Sequence, residues 1–129
     1  MITVFAAASL TAFNLVCAGN THQSGLGAEP DAAYRIEYRI DLATKRFCID
    51  DCSAVTPIAN VRTDKLVFSQ VEVDTISHRE LGQDVADRST GEHARFILTG
   101  RGVRQRMIKW IGRCERAPFT GFPASKQRF

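Results

Sequence analysis

One segment of the chain, YRIEYRID at residues 34–41, alternates apolar and charged side chains without exception. Successive side chains of a β-strand point to opposite faces of its sheet. This period of two therefore places the two tyrosines and two isoleucines on one face and the charged residues on the other. Such a strand belongs in an antiparallel sheet with one face on the core and one face in water. The segment predicts a β-protein with a one-sided sheet.

The rest of the chain continues as short apolar pieces that are separated by turn residues. No apolar stripe of period 3.6 persists for three helical turns. Six or seven short strands at this spacing predict an all-β fold, a small antiparallel meander that forms a barrel or a sandwich. The candidate strands after the first lie at 45–49, 58–61, 65–73, 84–88, 93–98 and 103–114.

The N-terminal segment differs from the rest in charge. Residues 1–18 carry no charged side chain, whereas all 17 basic and 14 acidic residues lie in 19–129. The apolar run is too short for a membrane-spanning helix and has the length of a signal-peptide core. Val16 and Ala18 supply small residues at positions −3 and −1 of a cleavage after Ala18. Because no Lys or Arg precedes the apolar run, a retained buried helix is the alternative interpretation.

These features predict the domain organisation and the location of a single-domain protein. Cleavage near Ala18 would release the mature protein into the periplasm or the medium. Anchoring as a lipoprotein through Cys17 is disfavoured, because Val16 and Asn14 stand where that signal has a small residue and a leucine. The predicted parts are a signal peptide over 1–18, a flexible leader over 19–33, a β-domain over 34–116 and a Pro/Phe-containing tail over 117–129.

Cleavage after Ala18 would leave three cysteines, Cys48, Cys52 and Cys114. An odd count in an oxidising compartment implies one bridge and one spare thiol, or an intermolecular bridge. A disulfide stabilises the folded state by restricting the unfolded chain. This effect amounts to about 2 kcal/mol for the short bridge between Cys48 and Cys52, and to about 4 kcal/mol for a bridge from either residue to Cys114. The short loop closes more easily, with a turn at Asp50 and Asp51, and is slightly favoured. A structural bridge is favoured over a reactive thiol, because both aspartates would raise the pKa of a neighbouring thiol.

No pattern of catalytic or ligand-binding residues is present in the sequence. His22, His78 and His93 repeat no known metal-ligand spacing and are expected on the surface. A nucleophile elbow, a phosphate-binding loop and a dinucleotide fingerprint are all missing. The sequence therefore indicates no catalytic residue, no metal site and no cofactor.

Charge is distributed unevenly along the chain. Residues 101–129 hold eight basic residues and one acid, whereas residues 19–100 hold nine basic and thirteen acidic residues. A basic strand near the C-terminus predicts either a solvated sheet edge or a surface for an anionic partner, an envelope component or a protein. Nucleic acid is not expected as a partner of an exported protein, and no membrane span is expected. The candidate binding residues are Arg104, Arg106, Lys109 and Arg113, of which Arg104 and Arg106 share one face of the predicted last strand.

Two groups of motifs occur together in this chain. The first comprises YRIDL at 38–42, RFC at 46–48 and Cys52, and the second comprises RSTG at 88–91, GRC at 112–114 and APFTGFP at 117–123. Over about residues 34–123 the chain resembles a group of small exported bacterial proteins of unknown function. The resemblance implies export and a small domain, and it implies no activity, cofactor or catalytic residue.

Three functional hypotheses follow. The first is a non-enzymatic binding or inhibitor module of the cell envelope, with the basic residues as the binding surface. The second is a thiol-redox protein or another enzyme that uses Cys48, Cys52 or Cys114. The third is a structural protein of the envelope.

Overall fold

The computed structural model describes residues 11–124, which form one antiparallel sheet of nine strands. This part of the chain contains a single 3₁₀ turn, Gly102–Arg104, and no α-helix. The predicted all-β antiparallel fold is confirmed, with more strands than the six or seven expected. The strands are β1 (Ala12–Gly25), β2 (Ala32–Asp41), β3 (Arg46–Ile49), β4 (Thr56–Pro57), β5 (Asn60–Val61), β6 (Lys65–Asp74), β7 (Arg79–Asp87), β8 (Glu92–Thr99) and β9 (Arg106–Ala117).

The strand order is β4-β3-β2-β1-β9-β8-β7-β6-β5, and the sheet curls into a half-barrel. The edge strands β4 and β5 are consecutive in the chain, and two residues join them. Ile58 donates its N–H to the carbonyl of Lys45 at 2.9 Å, and Ala59 donates to the carbonyl of Phe68 at 3.2 Å. This segment therefore bridges the two edges of the curled sheet. Large apolar side chains fill the concave face beside it, among them Phe13, Tyr38, Ile40, Phe47, Leu66 and Phe68.

Strand β1 lies at the centre of the sheet, between β2 and β9. The predicted flexible leader is therefore wrong for residues 19–25, which continue β1 and pair with β9. Residues 12–18 also lie in β1, whereas the predicted signal segment 1–10 lies outside the described residues. The uncharged run suits a central strand because Phe13 and Cys17 are buried on the concave face. Cleavage after Ala18 would remove the first half of β1, including Cys17.

The C-terminal tail packs against the convex side of the sheet. Strand β9 ends at Ala117, one residue past the predicted end of the β-domain at residue 116. Beyond it, Thr120 accepts a 3.0 Å hydrogen bond from Asn14 Nδ2, and the carbonyl of Gly121 accepts one of 3.1 Å from Arg39. These contacts bury Asn14 and hold the tail across β1 and β2. Residues 125–129 of the predicted tail lie outside the described residues.

Candidate functional site

A buried polar network connects four side chains on the concave face. Tyr38 donates its hydroxyl proton to Asp84 at 2.6 Å, and His93 Nε2 lies 2.9 Å from the other oxygen of Asp84. The hydroxyl of Tyr34 lies 2.7 Å from His93 Nδ1. Tyr38, Asp84 and His93 are 0%, 2% and 1% exposed. A neutral imidazole with its proton on Nε2 donates to Asp84 and accepts from Tyr34, so every member of the network has a partner.

Two glycines allow this network to cross the sheet. Tyr34 in β2 and His93 in β8 belong to one row of cross-strand neighbours, separated only by Gly19 in β1 and Gly112 in β9. A Cβ atom on Gly112 would lie 2.7 Å from the Tyr34 hydroxyl. The tyrosine ring can therefore reach the histidine only because neither intervening residue has a side chain.

Arg95 provides positive charge next to the buried carboxylate. It lies directly opposite Asp84 in the pairing of β7 with β8, and therefore on the same face of the sheet. Its guanidinium lies over the ring of Trp110, 4.6 Å from the ring centroid. This position offsets part of the cost of burying the Asp84 charge.

The environment of the two tyrosines raises their pKa values. Burial, and secondly the charge of Asp84, raise the pKa of Tyr34 to about 12. Burial, followed by the charge and the hydrogen bond of Asp84, raises the pKa of Tyr38 well above its usual value. Both hydroxyls therefore keep their protons at neutral pH, where they serve as hydrogen-bond partners within the network.

The raised pKa of Tyr34 predicts alkaline unfolding in a defined range. Between about pH 10, the ordinary pKa of tyrosine, and about 12, the folded state holds this proton more tightly than the unfolded state does. We expect the contribution of Tyr34 to be complete below pH 10 and to decline as the pH rises towards 12. Urea unfolding at a series of pH values measures this decline. The variant Tyr34→Phe should show a shallower decline, and an equal slope in both proteins would contradict the assignment.

Two disulfides link the described cysteines, none of which is free. Cys48 is joined to Cys52, the pairing that the sequence spacing slightly favours, across a turn in which Asp50 and Cys52 have positive φ angles. Cys114 is joined to Cys17, directly opposite it in the pairing of β1 with β9. With Cys17 in the folded sheet, each of the three cysteines expected in the mature chain has a partner in this structure.

One group of potential metal ligands occurs in the part of the chain that the structure describes. Sulfur and nitrogen atoms of Cys17, Cys114 and His93 lie within 4.8 Å of one another. The two sulfurs are bonded to each other, and both nitrogens of His93 have hydrogen-bond partners. In this state the group offers no thiolate ligands.

The structure does not bring the four candidate basic residues together. Arg104 lies in the 3₁₀ turn, so the prediction that it shares a strand face with Arg106 is wrong. The turn forms because Gly100 and Gly102 adopt positive φ angles, which delays the start of β9 to Arg106. Arg106 donates a 3.0 Å hydrogen bond to Gln23 on the concave side.

Lys109 and Arg113 project from the convex face. Neither makes an ion pair with another described residue within 4.0 Å. Arg113 lies opposite Glu92 in the strand pairing and two residues before Glu115, so acidic side chains surround it. The neighbours of Lys109 across the strands are His22 and Phe96. Lys109 is therefore the less compensated of the two cations.

An apolar depression of about 250 Å³ surrounds Lys109 on the convex face of β7, β8 and β9. Ile111 is 53% exposed at this site, and the other apolar side chains are partly accessible. We call this surface the convex depression. Its apolar lining residues are Val85, Ala94, Phe96, Met107 and Ile111. Sequence reasoning placed these residues in strands but missed their common site, because alternation within a strand does not say which strands are neighbours.

Comparisons with known proteins give no match: no protein-family model, no characterised protein and no solved structure matches this chain. Among the described elements there is no helix long and apolar enough to cross a membrane.

Proposed function

We propose that this protein is an extracytoplasmic, non-enzymatic binding module that docks an acidic, partly apolar segment of another protein in the convex depression. The observation that carries the proposal is the position of Lys109, a cation without an ion pair among the described residues, inside an apolar depression. Apolar contact would supply affinity, and the lysine would select carboxylates and orient them.

Two disulfides support the extracytoplasmic location, because such bonds persist in oxidising compartments and are rare in the cytosol. The resemblance to small exported proteins points the same way. Since residues 12–18 belong to β1, the proposed mature domain includes them and retains Cys17. Periplasm and medium are equally compatible with this proposal.

The shape of the convex depression favours a protein partner over a lipid bilayer. Binding to a bilayer surface needs protruding apolar side chains and a cluster of basic residues. Here Phe96 and Met107 line a concavity and are partly buried, and acids flank Arg113. A depression of about 250 Å³ suits the side chains of a protein segment. Apolar depressions that a partner covers are typical positions of interface hot spots.

The enzymatic hypothesis has less support than binding. Cys48, Cys52 and Cys114 are each joined in a disulfide, and the buried tyrosines have raised pKa values. No specific feature favours a purely structural envelope protein over a binding module.

The test is selection of peptides from a random library on the immobilised, oxidised protein. We expect enriched peptides that combine acidic and apolar residues. Their affinity should fall at least tenfold in Lys109→Glu and in Ile111→Asp, because hot-spot residues contribute about 2 kcal/mol or more. Fluorescence anisotropy of a labelled peptide measures the affinities.

Matched controls change the same residue types elsewhere. Lys65→Glu alters an exposed strand lysine, and Ile76→Asp alters an isoleucine that is fully exposed in the β6–β7 turn. Both should bind like the wild type. Peptides that bind Lys109→Glu equally well would overturn the proposal. So would co-sedimentation with anionic phospholipid vesicles that depends on Lys109, or self-association that is abolished by Ile111→Asp.

A further inference from the structure

A second cavity, of about 270 Å³, lies on the concave side at the opposite end from the β6–β7 turn. Apolar side chains from β1, β6 and β7 form part of its wall, together with Arg88, Arg116 and Cys114. We call it the Cys114 cavity. The cavity wall therefore contains Cys114 together with two cations. We call the Cys17–Cys114 bond, which joins strands β1 and β9, the central disulfide.

The charge of the Cys114 cavity favours anions. Arg88 donates one hydrogen bond, to the carbonyl of Arg62, and the Arg116 guanidinium lies over the Phe13 ring. The cavity also contains Asp87, whose carboxylate accepts hydrogen bonds from the backbone and hydroxyl of Ser89 and from the backbone of Thr90. Two guanidinium groups face one carboxylate, and that carboxylate is engaged within its own turn.

The two cysteines of the Cys17–Cys114 disulfide differ in exposure. Cys17 is 0% exposed, whereas Cys114 is partly exposed and lines the cavity. Asp87, Arg88 and Gly91 line the cavity on the β7–β8 side of β9, and Cys17 lies on the other side, in β1. A thiol in the cavity therefore meets the disulfide at Cys114, the cysteine that lines it.

We propose that the Cys114 cavity is a site of thiol–disulfide exchange for a small anionic thiol, a tripeptide-sized thiol with free carboxylates. The thiolate attacks Cys114 Sγ, a mixed disulfide forms there, and the Cys17–Cys114 bond breaks. Cys17 leaves with the electron pair and takes up one proton, which balances the proton lost by the incoming thiol. The exchange needs no other oxidant or reductant. It is independent of partner binding at the convex depression.

The second disulfide supplies an internal control. Cys48 and Cys52 are also buried, but Asp50 and Asp51 stand between them in the chain. Arg46 lines the pocket beside Cys52, and Arg39 donates a hydrogen bond to the carbonyl of Asp50, so two arginines accompany the two aspartates around this bridge. Thiols of different charge should therefore attack this disulfide with little preference.

The experiment treats the native oxidised protein with reduced glutathione (anionic), 2-mercaptoethanol (neutral) or cysteamine (cationic) at equal thiolate concentration. Alkylation and peptide mass spectrometry give the rate at each disulfide. We expect Cys17–Cys114 to react about tenfold faster with glutathione than with cysteamine, and added salt to reduce that ratio. Cys48–Cys52 should react with the three thiols at similar rates. The glutathione adduct should form on Cys114.

Variants test the two arginines of the cavity. Arg88→Gln and Arg116→Gln should each lower the preference for glutathione while the rate with 2-mercaptoethanol stays unchanged. Arg104→Gln, on the exposed 3₁₀ turn, should behave like the wild type. Should a cavity variant fail to fold, the salt dependence of the wild-type rates tests the same charge effect. An equal preference for glutathione at both disulfides, an adduct on Cys17, or no reaction of Cys17–Cys114 with any of the thiols would overturn the proposal.

Discussion

The double variant Cys17→Ala/Cys114→Ala is expected to lose about 4–5 kcal/mol of unfolding free energy, the stabilisation that chain entropy gives a bridge closing a loop of nearly 100 residues. The two cysteines are 97 positions apart in sequence, so the bridge restricts most of the unfolded chain. It also joins β1 to β9, the pairing through which the two halves of the sheet meet. A small domain typically has only 5–15 kcal/mol of stability, so this loss would leave it close to unfolding.

The matched control is Cys48→Ala/Cys52→Ala, which removes a bridge across a sequence separation of four. The same argument gives about 2 kcal/mol for this short loop. Urea unfolding of both double variants and the wild type measures the difference. A larger loss from the Cys48–Cys52 pair would contradict the assigned role of the central bridge. A chain that begins at Gly19 should be at least as unstable as the first variant, because it lacks Cys17 and half of β1.

The variant His93→Ala is expected to lose about 3–5 kcal/mol, the usual cost of breaking a buried ionic or hydrogen-bonded pair by removing one partner. The substitution takes away a donor to Asp84 and the acceptor for Tyr34, and it opens a cavity in the concave core. Asp84 would keep its bond from Tyr38 and the nearby charge of Arg95, which is insufficient compensation for a carboxylate that is 2% exposed.

The chain contains two natural controls for this variant. His22 lies 2.9 Å from Asp31 and His78 lies 3.4 Å from Glu80, so both repeat the histidine–carboxylate contact at the surface. Their side chains are 48% and 57% exposed, and pairs of this kind contribute little to stability. His22→Ala and His78→Ala should therefore unfold at nearly the wild-type urea concentration. Equal losses in all three variants would show that burial of His93 does not determine its contribution.

The two proposed sites lie on opposite faces of the sheet. The convex depression depends on Lys109 and Ile111, whereas the Cys114 cavity depends on Arg88 and Arg116 from the concave side. Failure of one proposal therefore leaves the other intact.

Local patterns in the sequence were sufficient to predict the fold class. The alternation over residues 34–41 correctly indicated an antiparallel strand, with Tyr38 and Ile40 buried on one face. The same kind of reasoning failed for the N-terminal segment. An uncharged apolar run satisfies both a signal-peptide core and a buried central strand, and only the pairing of β1 with β2 and β9 separates them.

By itself, the sequence determined the periodicity of the strands and the turn that allows Cys48 to reach Cys52. The tertiary structure decided which strands are neighbours, and with that the pairing of Cys17 with Cys114 and the burial of His93. It also decided that Arg106 lies on the concave face of β9 and Lys109 in the convex depression, although alternation alone had placed the two on opposite faces. The physical reason is the sequence distance over which each feature acts. Alternation between adjacent residues shows which side chains of one strand share a face. Contacts across the sheet join residues as far apart in sequence as Asn14 and Ala117, and the closure of the whole sheet selects them.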